Sequence, residues 1–226
     1  MIGTQTTVEI STVIIFVLSA ILAAYLTLNY MQNRRRSSLF WSAGIWVFAI
    51  SVLFETLFAF GQYNRLLIDS FLFLVALLVN LLALGSIELI KSYLLKLSYY
   101  VFSVASLSLL AYSLISTNVG NLMITYVVAG LTPVFVTITS SIVVFPAAVI
   151  LVIIAVLSYR KTHSYKMLSI IAGVVVVSIA GTLYIAAFPA LLYYSELIGI
   201  VLLWFGFFNF SASKSGSKTT RKIGAK

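Results

Sequence analysis

The sequence predicts an all-α integral membrane protein, a bundle of seven transmembrane helices with an external β-rich hairpin between the fourth and fifth. Three observations predict it. Of 226 residues, 62% are apolar, only 8% are charged, and the basic residues cluster between apolar runs. A soluble domain carries roughly 25% charged residues, so this chain has too little charge to cover a soluble surface. About 140 apolar residues, at roughly 20 per crossing, suffice for about seven crossings.

Apolar runs bounded by charges or turn residues give the individual spans. We predict helices over residues 11–31, 39–60, 68–90, 97–115, 141–159, 167–188 and 192–210. The basic cluster follows the first run instead of preceding it, so we expect this run to remain as a helix and not to be a cleaved signal. Residues 1–210 then form the bundle, and residues 211–226, rich in Ser and Lys, form a basic cytoplasmic tail.

Residues 117–140 are uncharged and long enough to cross, but they are rich in β-branched side chains around a Gly130–Pro133 turn signal. Two such runs around Gly and Pro are typical of a hairpin. If this segment lies outside, all lysines and arginines except Arg65 lie on the cytoplasmic side. If it forms an eighth span instead, the basic cluster at residues 160–166 lies on the external side. The positive-inside rule therefore favours seven spans in the cell membrane, with the N-terminus outside and the C-terminus cytoplasmic.

Ionisable groups inside a membrane are costly, so each is a candidate functional residue. Glu55 lies about two turns from the outer end of the second span, and Glu196 lies at a similar depth in the seventh. The predicted polar vestibule, which opens outward, consists of Glu55, Glu196, Asp69, Arg65 and Asn80. It is either structural, with Arg65 neutralising a carboxylate and Asn80 bonding a neighbouring helix, or it binds a cation, a proton or a small polar ligand.

The opposite end of the predicted bundle is basic. We predict a cytoplasmic basic face formed by Arg34, Arg35, Arg36, Arg160, Lys161, Lys166, Arg221 and Lys222. These residues set the orientation and attract anionic lipid. Direct binding of nucleic acid is not expected, because no aromatic residues interleave the charges of the tail. Glu88 lies three residues before Lys91, and we predict a structural ion pair between them.

The chain contains no Cys and a single His, His163, which excludes disulfides, thiolate metal sites and multi-histidine centres. It also contains no phosphate-binding glycine loop and no Gly-x-Ser-x-Gly elbow. We therefore expect no enzymatic activity, no metal and no cofactor. Small residues at helical spacing, such as Gly173 in the sixth span and Gly199 and Gly206 in the seventh, predict close helix contacts within the monomer or a seam between two copies.

Seven spans, an external N-terminus and a β-rich external flap resemble the microbial rhodopsin architecture. In that family a lysine of the seventh helix carries retinal. The span over residues 192–210 contains no lysine, so the resemblance implies a relative without retinal and without light-driven activity. It is consistent with a lysine-less sensor.

The Cys-free, Ile/Val/Tyr/Ser/Lys-rich composition resembles crenarchaeal membrane proteins, among which a polytopic subunit of the Ced DNA-import system has a similar size. The expected function is therefore a membrane component of a transport or translocation system, such as DNA import, acting with other membrane or cytoplasmic subunits. Two alternatives stay open, a sensor that signals through its basic face and a structural subunit of a larger complex.

Overall fold

The computed structural model describes residues 2–62, 64–119, 123–124, 127–128, 132–163, 169–170, 172–173, 176 and 189–207. Within these residues the chain forms six helices of 19 to 32 residues: α1 (Ile2–Asn33), α2 (Arg36–Ala59), α3 (Arg65–Ile87), α4 (Tyr93–Ser116), α5 (Val134–Thr162) and α6 (Pro189–Phe207). Two short strands lie between α4 and α5, β1 (Met123–Ile124) and β2 (Val127–Val128). They pair antiparallel, with Met123 opposite Val128 and Ile124 opposite Val127.

Five helices are long and apolar enough to cross a membrane: Glu9–Asn33, Arg36–Ala59, Arg65–Ile87, Tyr93–Ser116 and Val134–Arg160. This agrees with the predicted class, an all-α membrane protein. The predicted number of seven spans is not confirmed. The predicted seventh span corresponds to α6, whose apolar part, Tyr194–Phe207, is shorter. Most of the predicted sixth span, 167–188, lies outside the described residues.

The predicted hairpin over residues 117–140 is also not confirmed, because α5 already begins at Val134. The β-branched residues at its start form helix because a helix satisfies every backbone polar group within one segment, as an apolar environment requires; the hydroxyl groups among them also find acceptors within the helix. The side chains of Thr137, Thr139 and Ser141 each donate to a carbonyl oxygen four residues earlier, at 3.2, 3.0 and 2.7 Å. Such back-bonding satisfies a hydroxyl without water, so the pattern of residue types alone predicted the wrong secondary structure here.

The centre of the bundle is formed by α2 and α3, whereas α4 and α5 are the least buried of the long helices. A large apolar core joins α1, α2, α3 and α6 with parts of α4 and α5, and it includes Leu22, Ile45, Phe48, Ala83 and Ile200. A smaller core joins the end of α2 to α3, α4 and α5. Because most outward-facing side chains of α4 and α5 are apolar, these helices suit a lipid environment.

Helices α1 to α5 run alternately up and down, α6 ends at the same end of the bundle as α5, and cross-helix contacts fix the register of the helices. The hydroxyl groups of Thr27 on α1 and Ser42 on α2 lie 2.7 Å apart. At the middle of α1, Trp204 of α6 donates to the Leu18 carbonyl oxygen at 3.1 Å. The rings of Trp41 and Phe207 are 5.3 Å apart, so the end of α6 lies beside the start of α2.

Small residues of the last two predicted spans pack against each other inside the monomer. The described residues from 169 to 176 are helical, and a Cβ atom on Gly173 would lie 3.1 Å from the Gly199 carbonyl oxygen. Ser169 also donates to the Leu202 carbonyl oxygen at 2.6 Å. These small residues therefore form close helix contacts within one chain, which is one of the two predicted alternatives.

The closest approach of α2 and α3 depends on Gly85. A Cβ atom there would lie 2.6 Å from Nε1 of Trp41 and 3.0 Å from the backbone oxygen of Ser37. The backbone cannot move aside as a flexible side chain can. Gly44, on the facing helix, offers a matched comparison, since its nearest neighbour would be the flexible end of Leu82 at 3.0 Å.

We expect Gly85→Ala to destabilise the bundle by roughly 1–3 kcal/mol, the usual range for overpacking. Gly44→Ala should change stability by less than about 1 kcal/mol, because the better helix propensity of Ala offsets the shift of Leu82. Denaturant-induced unfolding of the purified variants in detergent measures both. Equal effects of the two substitutions would contradict the described packing.

Candidate functional site

Glu55 is carried by the buried face of α2. Gly44, Ser51 and Glu55 are all buried on this helix, as their helical spacing predicts, whereas Gln62 lies beyond the helix end and is exposed. Glu55 is four residues before the end of α2, about 6 Å along the axis. It is 7% exposed, so its carboxyl group lies inside the bundle.

The partner of Glu55 is Glu196 of α6, which is also 7% exposed. The two carboxyl groups lie close enough to interact with each other. One oxygen of each, Oε2, is buried and has no hydrogen-bond partner among the described residues. We call these two residues the acidic pair. A hydrogen bond between two carboxyl groups requires a proton on at least one, because an ionised carboxylate only accepts.

Arg65 and Asp69 form a separate ion pair at the start of α3. The Nε atom of Arg65 lies 3.5 Å from Oδ2 of Asp69, one helical turn away. Arg65 also donates to the backbone oxygen of Thr117 at 3.1 Å, which ties α3 to the end of α4. The side chain of Asn64 caps the helix by accepting from the Leu67 amide at 2.8 Å. The guanidinium group of Arg65 therefore neutralises Asp69. No ion pair or hydrogen bond between Arg65 and the acidic pair is present among the described residues.

Asn80 is fully buried in the middle of α3, where its Oδ1 accepts a hydrogen bond from Ser103 of α4. It is 11 residues from Asp69, about 16 Å along the helix. Its Nδ2 atom has no partner among the described residues. Asn80 thus holds two helices together and does not join the acidic pair.

The predicted vestibule is therefore divided into three parts. Glu55 and Glu196 are brought together, Arg65 and Asp69 pair with each other at the same end of the bundle, and Asn80 bonds α4 deeper inside. Sequence reasoning missed Ser103 as the partner of Asn80, and it also missed the buried hydroxyl pair of Ser113 and Thr139, 2.7 Å apart. Neither has a sequence signal of its own, because each depends on which helix faces can meet.

The other end of the bundle carries the described part of the predicted basic face. Arg34, Arg35 and Arg36 are exposed between α1 and α2, and Arg160 is exposed near the end of α5. Lys161 lies in the last turns of α5, and Lys166, Arg221 and Lys222 lie outside the described residues.

Glu88 lies at the basic end, but its partner is not the predicted Lys91. The chain leaves the helix at Ile87, so Lys91 does not follow Glu88 on a helical face and is exposed. Instead, α4 returns beside α3, and Nζ of Lys96 lies 2.8 Å from Oε2 of Glu88. The hydroxyl group of Tyr100 donates to Oε1 of Glu88 at 2.7 Å.

Burial by itself would raise the pKa of Glu88. The hydrogen bonds from Lys96 and Tyr100, with the positive charges of Lys96 and Arg36, outweigh this effect and lower the pKa below the usual 4.5. Ionised Glu88 therefore stabilises the fold, and the carboxylate joins the ends of α3 and α4.

In comparisons with known proteins, no family model, no curated protein and no solved structure matches the chain. The residues of the site are therefore the basis for its chemistry.

We expect Glu88→Gln to lower the free energy of unfolding at neutral pH by roughly 1–2 kcal/mol, because a charge-assisted hydrogen bond is lost. A carboxylate with a lowered folded-state pKa stabilises fully above its unfolded-state pKa and loses this effect as the pH falls through the folded-state value. The difference from the unsubstituted protein should therefore shrink below about pH 4.5. Unfolding in detergent across this pH range is the measurement. Lys91→Gln is the control, and a pH-independent difference for Glu88→Gln would contradict the assignment.

Proposed function

We propose that the chain is a multi-pass membrane component of a transport or translocation system that works with partner proteins. The observation that carries this proposal is the acidic pair, two carboxyl groups buried between apolar helices with one unpartnered oxygen each. Charged or ionisable residues at such positions are costly, and in membrane proteins they mark ion, proton or substrate pathways. A purely structural bundle would gain more from apolar side chains there.

The proposed topology has seven spans, an external N-terminus and a cytoplasmic C-terminus. It is supported by the segregation of charge. The exposed Arg34, Arg35, Arg36, Lys91 and Arg160 lie at one end of the described bundle, and basic residues are retained on the cytoplasmic side. The segment over residues 167–188 would supply the sixth span and the segment over 192–210 the seventh.

The proposed cargo class includes DNA, as the compositional resemblance to a DNA-import subunit implies, but the chain itself is not proposed to bind nucleic acid. Partner subunits would handle the cargo and supply energy, because the sequence contains no phosphate-binding loop. The basic face would be their docking side in the cytoplasm, and anionic lipid headgroups would contact the same face.

A sensor is the second candidate, and one observation favours it. The helices between the acidic pair and the basic end are packed with apolar side chains such as Ile45, Phe48 and Leu203, which leave no polar route through the described bundle. Such a site suits a protein that detects a ligand on one side and moves a helix. Without a lysine in the 192–210 span, retinal would not be that ligand.

The test is purification of the tagged full chain from its native membranes in mild detergent, with identification and quantification of the proteins that co-purify. We expect a fixed stoichiometry with a motor ATPase or a second pore-forming membrane subunit. Replacing Arg34, Arg35 and Arg36 together by Gln should release a cytoplasmic partner, whereas the control Lys91→Gln should retain it. A kinase or transducer partner would favour the sensor. A respiratory or envelope complex, or a chain without any stoichiometric partner, would overturn the transport proposal.

A further inference from the structure

We infer that the acidic pair is a proton-binding site that exchanges protons with only one end of the bundle, the end where α3 begins. What the bound proton does rests on the proposed function, since a transport component and a sensor would use the site differently. The binding of the proton itself depends only on Glu55, Glu196 and their surroundings.

The negative charges of the two carboxyl groups favour a proton at this site. Glu55 and Glu196 are both buried, each keeps a buried carboxyl oxygen without a described partner, and the two groups are close enough to interact. A hydrogen bond between two carboxyl groups needs a proton on at least one of them. If both were ionised, two negative charges would face each other in an apolar interior, where their repulsion is strong. The nearest described cation at this end, Arg65, is engaged by Asp69 and by the Thr117 carbonyl oxygen. A proton is therefore the ligand that the arrangement requires, as in other pairs of adjacent carboxyl groups.

The site offers too few ligands for a metal cation. No third acidic, His or Cys side chain lies beside the pair to complete a metal-ligand group within the described part of the chain. Calcium takes six to eight oxygen ligands and magnesium demands an octahedral shell. A proton needs only the two carboxyl groups that already meet. The unpartnered Oε2 atoms are positions where a second proton or a water molecule would bind.

The acidic pair lies much closer to one end of the bundle than to the other. Glu55 is about 6 Å from the end of α2 near α3, but about 28 Å from the start of α2 at the basic end. Towards the basic end, the side chains that follow are buried and apolar: Val52, Phe48 and Ile45 on α2, Ile200 and Leu203 on α6, and Leu22 and Leu26 on α1. Ser51 and Ser19 are buried as well, but each bonds a carbonyl oxygen of its own helix. A proton therefore has a short way in from one side, whereas on the other side the described residues form a long and largely apolar core.

Other charged groups at this end define the electrostatic environment of the site. Among the described residues they are Glu9 of α1 and the Arg65–Asp69 pair of α3, and besides Glu196 the helix α6 carries two tyrosines, Tyr193 and the exposed Tyr194. The ends of α4 and α5 near the site carry no charged residue. Asp69→Asn is consequently the matched control, since it removes a carboxyl group at the same end but outside the pair.

The test uses infrared spectroscopy of the full chain in lipid nanodiscs during a pH titration. We expect a carboxylic C=O stretching band that is already present at neutral pH, where carboxyl groups in water are ionised, and whose intensity follows the pH. The double variant Glu55→Gln/Glu196→Gln should lose it, each single variant should shift its midpoint by roughly one pH unit or more, as for strongly interacting groups, and Asp69→Asn should keep it. Gln preserves shape and hydrogen bonding, and an unchanged unfolding midpoint confirms that each variant is folded. Persistence of the band in the double variant would overturn the inference.

Sidedness is tested in proteoliposomes of known protein orientation, with a pH jump applied in turn to the outer and the inner solution. The band should follow the pH on the side where α3 begins and stay constant when the pH changes on the basic side. An equal response from both sides would overturn the one-sided access, and displacement of the band by NaCl or CaCl2 would overturn the choice of a proton. A titrating band in a chain without partners would remove only the proposed transport role, whereas partners without a titrating band would remove only the proton site.

Discussion

A bilayer interior offers no water to a polar group, so every hydroxyl, amide and carboxyl group in an apolar bundle has to find its partner within the protein. Most buried polar side chains described here obey this constraint in the cheapest way, by bonding a carbonyl oxygen of their own helix. Ser51, Thr56 and Ser86 all donate to the residue four positions earlier. The helices can therefore carry polar residues without depending on a neighbour, and the few exceptions become informative.

The acidic pair is the clearest exception. A carboxyl group is too polar to be satisfied by one helix, and Glu55 meets Glu196 across the bundle while each keeps a buried oxygen without a described partner. By contrast, Asp69 and Glu88 each have a cationic partner, Arg65 and Lys96, although Oδ1 of Asp69 is also buried without a described partner. These ion pairs explain the two carboxylates structurally. The position of the acidic pair costs stability, and this cost is the physical reason to assign a function to it.

The two ends of the bundle consequently differ in their chemistry. One end holds the acidic pair, a short distance below the helix termini, and the other holds exposed arginines together with the Glu88 cluster that joins α3 to α4. Apolar side chains separate them along α1, α2 and α6. A signal or a coupling step that begins at the acidic pair must therefore reach the basic end through helix movement, since the described core provides no chain of polar groups.

The sequence by itself determined the membrane class, because 62% apolar and 8% charged residues cannot form a soluble surface. It also located most long helices to within a few residues and identified Glu55 and Glu196 as deep, because charge and apolar length are local properties. It could not determine that residues 134–140 are helical, since β-branched residues favour strands in water, whereas an apolar environment favours the helix, which satisfies its backbone internally. Nor could it decide which polar residues meet. Glu88 pairs with Lys96 and not Lys91, and Asn80 bonds Ser103 far from the acidic pair, because partners are chosen by the faces that packed helices turn towards each other.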